Sequence, residues 1–275
     1  MDKKKRRRLV ALCVLAAVIL FFISPLYPYL RALAVMSVYS PINDSHSLLE
    51  SEDITLDIPS DENWTPFVMN FAADSAFLSE TQLPAKLTIL YNFPAFSLQK
   101  GCSRLYDESS PYYSSFYGAY LVKRSDGRPF GFSEQTGALD EAAVASVAKF
   151  DYLTLVLGNF GLPKTERLFD YTVTAAETGL SFVGYEGSTR VCSDIDTKGV
   201  NHKKAGFVPA YLQYGPPNFP VSADFAPITM KSIVYARYFE DWNVSVFFYV
   251  MSPSEEVCEA CVSELLAKST LKAAD

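Results

Sequence analysis

The sequence is poor in the residues on which most catalytic and metal sites depend. It has only two histidines, His46 and His202, and 13 glycines in 275 residues. Two histidines exclude a histidine-rich zinc site, and His202 lies in a segment without hydrophobic periodicity, which is typical of a solvated loop. No glycine-rich phosphate loop, G-x-S-x-G motif or H-E-x-x-H motif occurs. We therefore expect no catalytic residue, cofactor or metal.

Positive charge is scarce outside one short run. Residues 1–8 hold six of the 24 lysines and arginines, so the rest of the chain carries a net charge of −12 although the whole chain carries −7. An acidic body repels the phosphates of nucleic acids. We therefore expect no nucleic-acid partner.

Only one uninterrupted hydrophobic run is long enough to suggest a membrane segment. Residues 9–23 form an apolar stretch of 15 residues, which spans about 22 Å as a helix and is shorter than a hydrocarbon core of about 30 Å. Extension to residue 30 gives about 33 Å. Because basic residues mark the cytoplasmic side, the pattern predicts a cytoplasmic tail (1–8) and a transmembrane signal anchor (9–30).

A cleaved signal peptide is the alternative for this end of the chain. A basic region, an apolar region and the small residues Ala32 and Ala34 fit a signal that is removed near Ala34. Either interpretation exports the remainder, which consists of a linker (31–51) and one extracytoplasmic domain (52–275).

The exported body alternates between apolar and polar residues over many short runs. These runs predict nine or ten strands and a mostly antiparallel α+β domain. Periods of three and four residues predict two packed helices, about 139–160 and 253–268, that cover part of one sheet face. A strand over 152–157 is the alternative within the first helix. Asp126-Gly127 predicts a hairpin turn before a strand at 128–132.

Four cysteines follow the anchor: Cys102, Cys192, Cys258 and Cys261. In an oxidising compartment they predict one or two disulfides, with the pairing left open, and four buried thiols are the alternative.

The spacing of Cys258 and Cys261 matches that of thiol–disulfide enzymes. However, Ser252 fits the N-cap of the last helix, so both cysteines would lie in its second turn, past the end whose dipole lowers a thiol pKa. The pattern favours a structural role for both.

Tyrosine is abundant, and several tyrosines cluster in one loop and the strand after it. Tyrosine combines a large apolar surface with a polar tip, so such a loop often binds partners, whereas packing within an aromatic sheet is the alternative. We expect an envelope protein or a glycan to bind there. The predicted binding residues are Arg104, Tyr106, Tyr112, Tyr113 and Tyr117.

Paired acids offer a second function. Glycoside hydrolysis needs two carboxyl groups across a groove, whereas adjacent acids at turns and helix starts usually cap helices or face solvent. The sequence thus predicts a membrane-anchored binding or accessory domain, with an exported hydrolase or, less favoured, a Cys258/Cys261 thiol enzyme as alternatives. The acid pairs are Asp107/Glu108, Asp140/Glu141 and Glu240/Asp241.

Overall fold

The structure is a computed structural model with an α+β fold. It contains a seven-stranded antiparallel sheet and a separate two-stranded sheet. It describes residues 3–24, 35–60, 66–75, 77, 81–82, 84–92, 108–159, 162–199 and 226–274.

The large sheet has the strand order β2-β3-β4-β8-β7-β6-β5, and β1 pairs with β9 in the small sheet. The predicted antiparallel sheet is therefore confirmed. The strands are β1 (Ile54–Asp57), β2 (Phe67–Phe71), β3 (Ala85–Asn92), β4 (Phe116–Arg124), β5 (Phe169–Phe182), β6 (Tyr185–Lys198), β7 (Pro227–Phe239), β8 (Val244–Ser252) and β9 (Thr270–Ala273).

Central strand β8 is buried at every position, because its side chains are apolar or small on both faces. It forms a hairpin with β7 through the turn at 240–243. The Asp126-Gly127 turn is also formed, but the strand predicted at 128–132 is wrong. Instead β4 pairs with β3 and β8, since its own run is apolar on both faces.

Helices and short helical turns lie between the strands. They are α1 (Lys3–Ile23), a π-helix (Val35–Tyr39) that continues into α2 (Ser40–Asp44), α3 (Leu48–Ser51), α4 (Glu141–Phe150), a π-helix (Asp151–Val156), α5 (Leu157–Asn159), a 3-10 turn (Lys164–Glu166), α6 (Glu255–Glu264) and a 3-10 turn (Leu266–Lys268).

The helix predicted over 139–160 is confirmed as a continuous helical run over 141–159, and the alternative strand over 152–157 is wrong. Asp140 caps the run by accepting a hydrogen bond from the amide of Ala142. Val144, Val147 and Phe150 point into the core on one sheet face.

The C-terminal helix α6 begins two residues later than predicted. Ser254, and not Ser252, is the N-cap that accepts from the amide of Val257, because Ser252 is still part of β8. Helix α6 packs Cys258 and Val262 into a second core on the opposite sheet face from α4. The prediction that both helices cover one face is thus wrong, since the strands are apolar on both faces.

Residues 35–51 of the predicted linker are largely helical and pack against the sheet. Ser40, Ser47 and Leu48 are buried, and the Leu48 amide donates a 2.9 Å hydrogen bond to Oγ1 of Thr88. The sequence concealed this packing because the inward side chains are largely serine.

Helix α1 carries six basic residues in its first two turns, and only its remaining 15 residues are apolar. Within the described part of the chain, no helix combines the length and hydropathy needed to cross a membrane. The predicted transmembrane helix is therefore not supported, although residues 25–30 of that segment lie outside the described residues.

Candidate functional site

The predicted tyrosine surface is smaller than the sequence suggested. Arg104 and Tyr106 lie outside the described residues. Tyr117 is fully buried, and its hydroxyl donates a 2.9 Å hydrogen bond to the carbonyl of Pro59, so its ring belongs to the core. Tyr112 and Tyr113 are half-buried and expose the rest of their side chains in the turn before β4.

The cysteines do not form the predicted disulfides within the described residues, which leave out Cys102. Cys192, Cys258 and Cys261 are all outside any disulfide. Cys258 and Cys261 lie one turn apart on α6, where Cβ atoms are about 5–6 Å apart and a disulfide needs about 3.8 Å. Burial raises the pKa of the Cys258 thiol well above its ordinary range, which opposes thiol chemistry.

The paired acids serve different purposes. Asp107 lies outside the described residues, and Asp140 is occupied as a helix cap. Glu240 and Asp241 are exposed in the β7–β8 turn. Of these acids, Glu240 lines a cleft.

This cleft arises where two hairpins separate. Pairing between β6 and β7 ends at Thr189 and Ala236, whereas the β5–β6 and β7–β8 hairpins continue beyond that point. The space between these hairpin ends and the loop at 129–137 has a volume of about 580 Å³, within the usual range of ligand pockets. We call it the hairpin cleft, and its lining residues are Pro129, Phe132, Ser133, Glu134, Gly137, Glu186, Gly187, Arg237, Tyr238 and Glu240.

Arg237 is the cationic side chain of the hairpin cleft. Its guanidinium carbon lies 5.5 Å from the ring centroid of Tyr185 and 5.2 Å from that of Phe239. These rings hold the guanidinium through cation–π attraction and limit its rotamers. Its Nε is buried without a hydrogen-bond partner, and no carboxylate among the described residues forms an ion pair with it.

Gly187 has no side chain, and the guanidinium of Arg237 lies next to the position that a Cβ atom would occupy there. A Cβ atom at this position would lie 3.3 Å from Nη1 of Arg237, and the residue has a φ of +80°. The β5–β6 turn is at Val183-Gly184, and Gly187 lies within β6.

Carboxylates make the remainder of the cleft acidic. Glu134, Glu186 and Glu240 line it, and the Tyr238 hydroxyl donates a 2.8 Å hydrogen bond to Oδ1 of Asn243. Burial, reinforced by the charges of Glu240 and Glu134, raises the pKa of Tyr238. The arrangement offers a fixed guanidinium for an anionic group and carboxylates for a cationic or hydroxyl group.

Neither histidine nor cysteine lines the cleft. Nor does any group of three His, Cys, Asp or Glu side chains in the described ranges have a metal-binding arrangement. Arg237 and Gly187 were missed by the sequence analysis, although an arginine within the aromatic run Tyr235–Phe239 was a usable signal.

The comparisons with known proteins do not extend this picture. The chain matches no known family, no curated protein and no solved structure.

Proposed function

We propose that the chain is a single-pass membrane-anchored protein whose extracytoplasmic domain binds a ligand in the hairpin cleft and catalyses no reaction. The observation that carries the proposal is Arg237, a guanidinium held by two aromatic rings that lacks a carboxylate partner among the described residues. Such an unpaired, oriented arginine favours recognition of an anionic group.

Features of α1 support the anchorage. Its apolar side chains from Leu9 to Ile23 are exposed, and no residue of the helix is buried against the domain. The basic residues that precede them favour a cytoplasmic N-terminus. Residues 9–30 would form the anchor, and the acidic domain would lie outside the cytoplasm.

The composition of the cleft also supports a ligand that carries both signs of charge. The acidic lining would repel a purely anionic ligand, whereas Arg237 would repel a purely cationic one. A segment of an envelope protein that presents a carboxylate next to an ammonium group meets both requirements, as does an amino-sugar acid of a glycan.

The proposal is tested with the full chain in detergent micelles and the peptide Gly-Lys. Its free carboxylate suits Arg237, and its two ammonium groups suit the glutamates. Because a ligand that binds only the folded state stabilises it, Gly-Lys should raise the unfolding midpoint. We expect Arg237→Met to abolish the rise and Arg190→Met to retain it, since Arg190 is already paired with Glu259. An equal rise in both variants would exclude the cleft.

Two glycines provide a matched test that does not remove the arginine. Gly187 and Gly184 both have a φ of +80°, but only a Cβ at Gly187 approaches Arg237. We expect Gly187→Ala to weaken binding of Gly-Lys and Gly184→Ala to leave it unchanged, although both should lose about 1–2 kcal/mol of stability. Equal affinities would show that the position of Arg237 does not matter.

A further inference from the structure

The helical segment 35–44 buries one polar side chain, that of Ser40, against the protein. Ser40 is only 4% exposed, and its Oγ accepts a 2.9 Å hydrogen bond from the amide of Val68 at the sheet edge. The carbonyl of Asn43 accepts a hydrogen bond from the side chain of Asn70 on the same strand. Hydrogen bonds therefore hold this segment against β2.

Three apolar side chains of the same segment face the outside. Val38 is 57% exposed and Ile42 is 55% exposed, and residues four apart share one helix face. Tyr39 beside them is 46% exposed and stacks on Phe67. A surface helix of a soluble domain has the opposite arrangement, with its apolar face inward.

Exposed large apolar side chains are confined to two places within the described residues. One is the apolar part of α1, from Leu9 to Ile23, and the other is Val38, Tyr39 and Ile42. The 11 residues between 24 and 34 span at most about 40 Å when fully extended. The two apolar surfaces are thus close along the chain, and a common apolar environment explains both.

We propose that the surface formed by Val38, Tyr39 and Ile42 inserts into the outer leaflet of the membrane, so that the domain lies on the bilayer. This inference rests on the proposed membrane anchorage of α1. A bilayer surface accepts apolar side chains at the acyl boundary and a tyrosine at headgroup level. The segment predicted as a linker that lifts the domain from the membrane would therefore hold the domain against it.

The experiment uses the full chain reconstituted into phosphatidylcholine vesicles, with or without bromine on the acyl chains. Ile42→Trp and, separately, Val38→Trp introduce a fluorophore that bromine quenches on contact. Both native side chains are exposed, so tryptophan fits without repacking the core. The unmodified chain contains two tryptophans, so the quenching measured for it is subtracted from that of each variant.

Glu177→Trp is the matched control. Glu177 is exposed on β5, at the opposite edge of the sheet from β2 and six strand spacings away, about 29 Å. We expect brominated lipid to cause a loss of fluorescence for Ile42→Trp and Val38→Trp and no loss for Glu177→Trp.

Vesicle flotation of the same samples separates the two proposals. If the chain floats with the vesicles but Ile42→Trp and Val38→Trp are not quenched, the anchor stands and the insertion of this surface is overturned. A chain that does not float overturns both. Quenching of all three variants also overturns the inference, because insertion would then not be specific to this surface.

Discussion

The Tyr120 hydroxyl donates a 2.5 Å hydrogen bond to Oδ2 of Asp151, and both side chains are buried between the sheet and the first turn of a π-helix. Burial raises the pKa of the Asp151 carboxyl well above its ordinary value. Its Oδ1 has no hydrogen-bond partner among the described residues. Burial therefore favours the neutral carboxyl of Asp151 over the carboxylate, because an isolated buried charge is strongly disfavoured.

This neutral acid predicts a loss of stability as pH rises. The unfolded carboxyl ionises near pH 3.9, so above about that pH folding takes up a proton, and the free energy of unfolding falls by about 1.4 kcal/mol per pH unit until the folded pKa is reached. We expect Asp151→Asn to remove this slope in urea unfolding as the pH rises above about 4. Tyr120→Phe keeps the acid and should keep the slope. Parallel slopes for Asp151→Asn and the parent would contradict the neutral state.

Gly118 predicts a severe packing effect in the centre of the sheet. A Cβ atom at this position would lie 1.8 Å from the carbonyl oxygen of Leu90, which is backbone and also accepts a hydrogen bond from Tyr249. We expect Gly118→Ala to reduce the free energy of unfolding by about 3 kcal/mol or more. Gly137→Ala, where the added atom meets nothing within 4 Å, should lose about 1 kcal/mol through its positive φ. Similar losses for the two would disprove the clash.

Thiol reactivity distinguishes two of the cysteines. Cys258 is fully buried and Cys192 is half-buried, and burial raises the pKa of both. Because the thiolate is the reactive form, iodoacetamide should modify Cys192 faster than Cys258 in the folded protein. Mass spectrometry of the peptides measures both rates, and denaturant should make them equal. Faster modification of Cys258 in the folded chain would indicate a reactive thiol on α6.

Local sequence patterns were sufficient to predict the elements whose structure depends only on residues that are close together in the sequence. The turn at 240–243 lies between two apolar strands, and the helix over 141–159 has a regular apolar stripe and Asp140 as its cap. The stripe and the cap are local signals, so the sequence was sufficient for both.

The hairpin cleft could not be predicted in this way. It lies between the loop at 129–137 and the point where β6 and β7 stop pairing, at Thr189 and Ala236, which are 47 positions apart in the sequence. The position of Arg237 depends on Tyr185, which lies on the other hairpin. Likewise, segment 35–44 resembles a linker because its buried side is polar, and only its contact with β2 shows why Ser40 is inside.

The hydrogen bonds of residues 40–48 would also determine how a force that pulls on the N-terminal end of the chain is distributed within the domain. Ser40 accepts from Val68 on β2, whereas Leu48 donates to Thr88 on β3. A force along the chain would therefore be shared between two neighbouring strands instead of peeling the short edge strand from the sheet. With α1 as the proposed membrane anchor, residues 40–48 would spread a pulling force over β2 and β3 before it reached the rest of the fold.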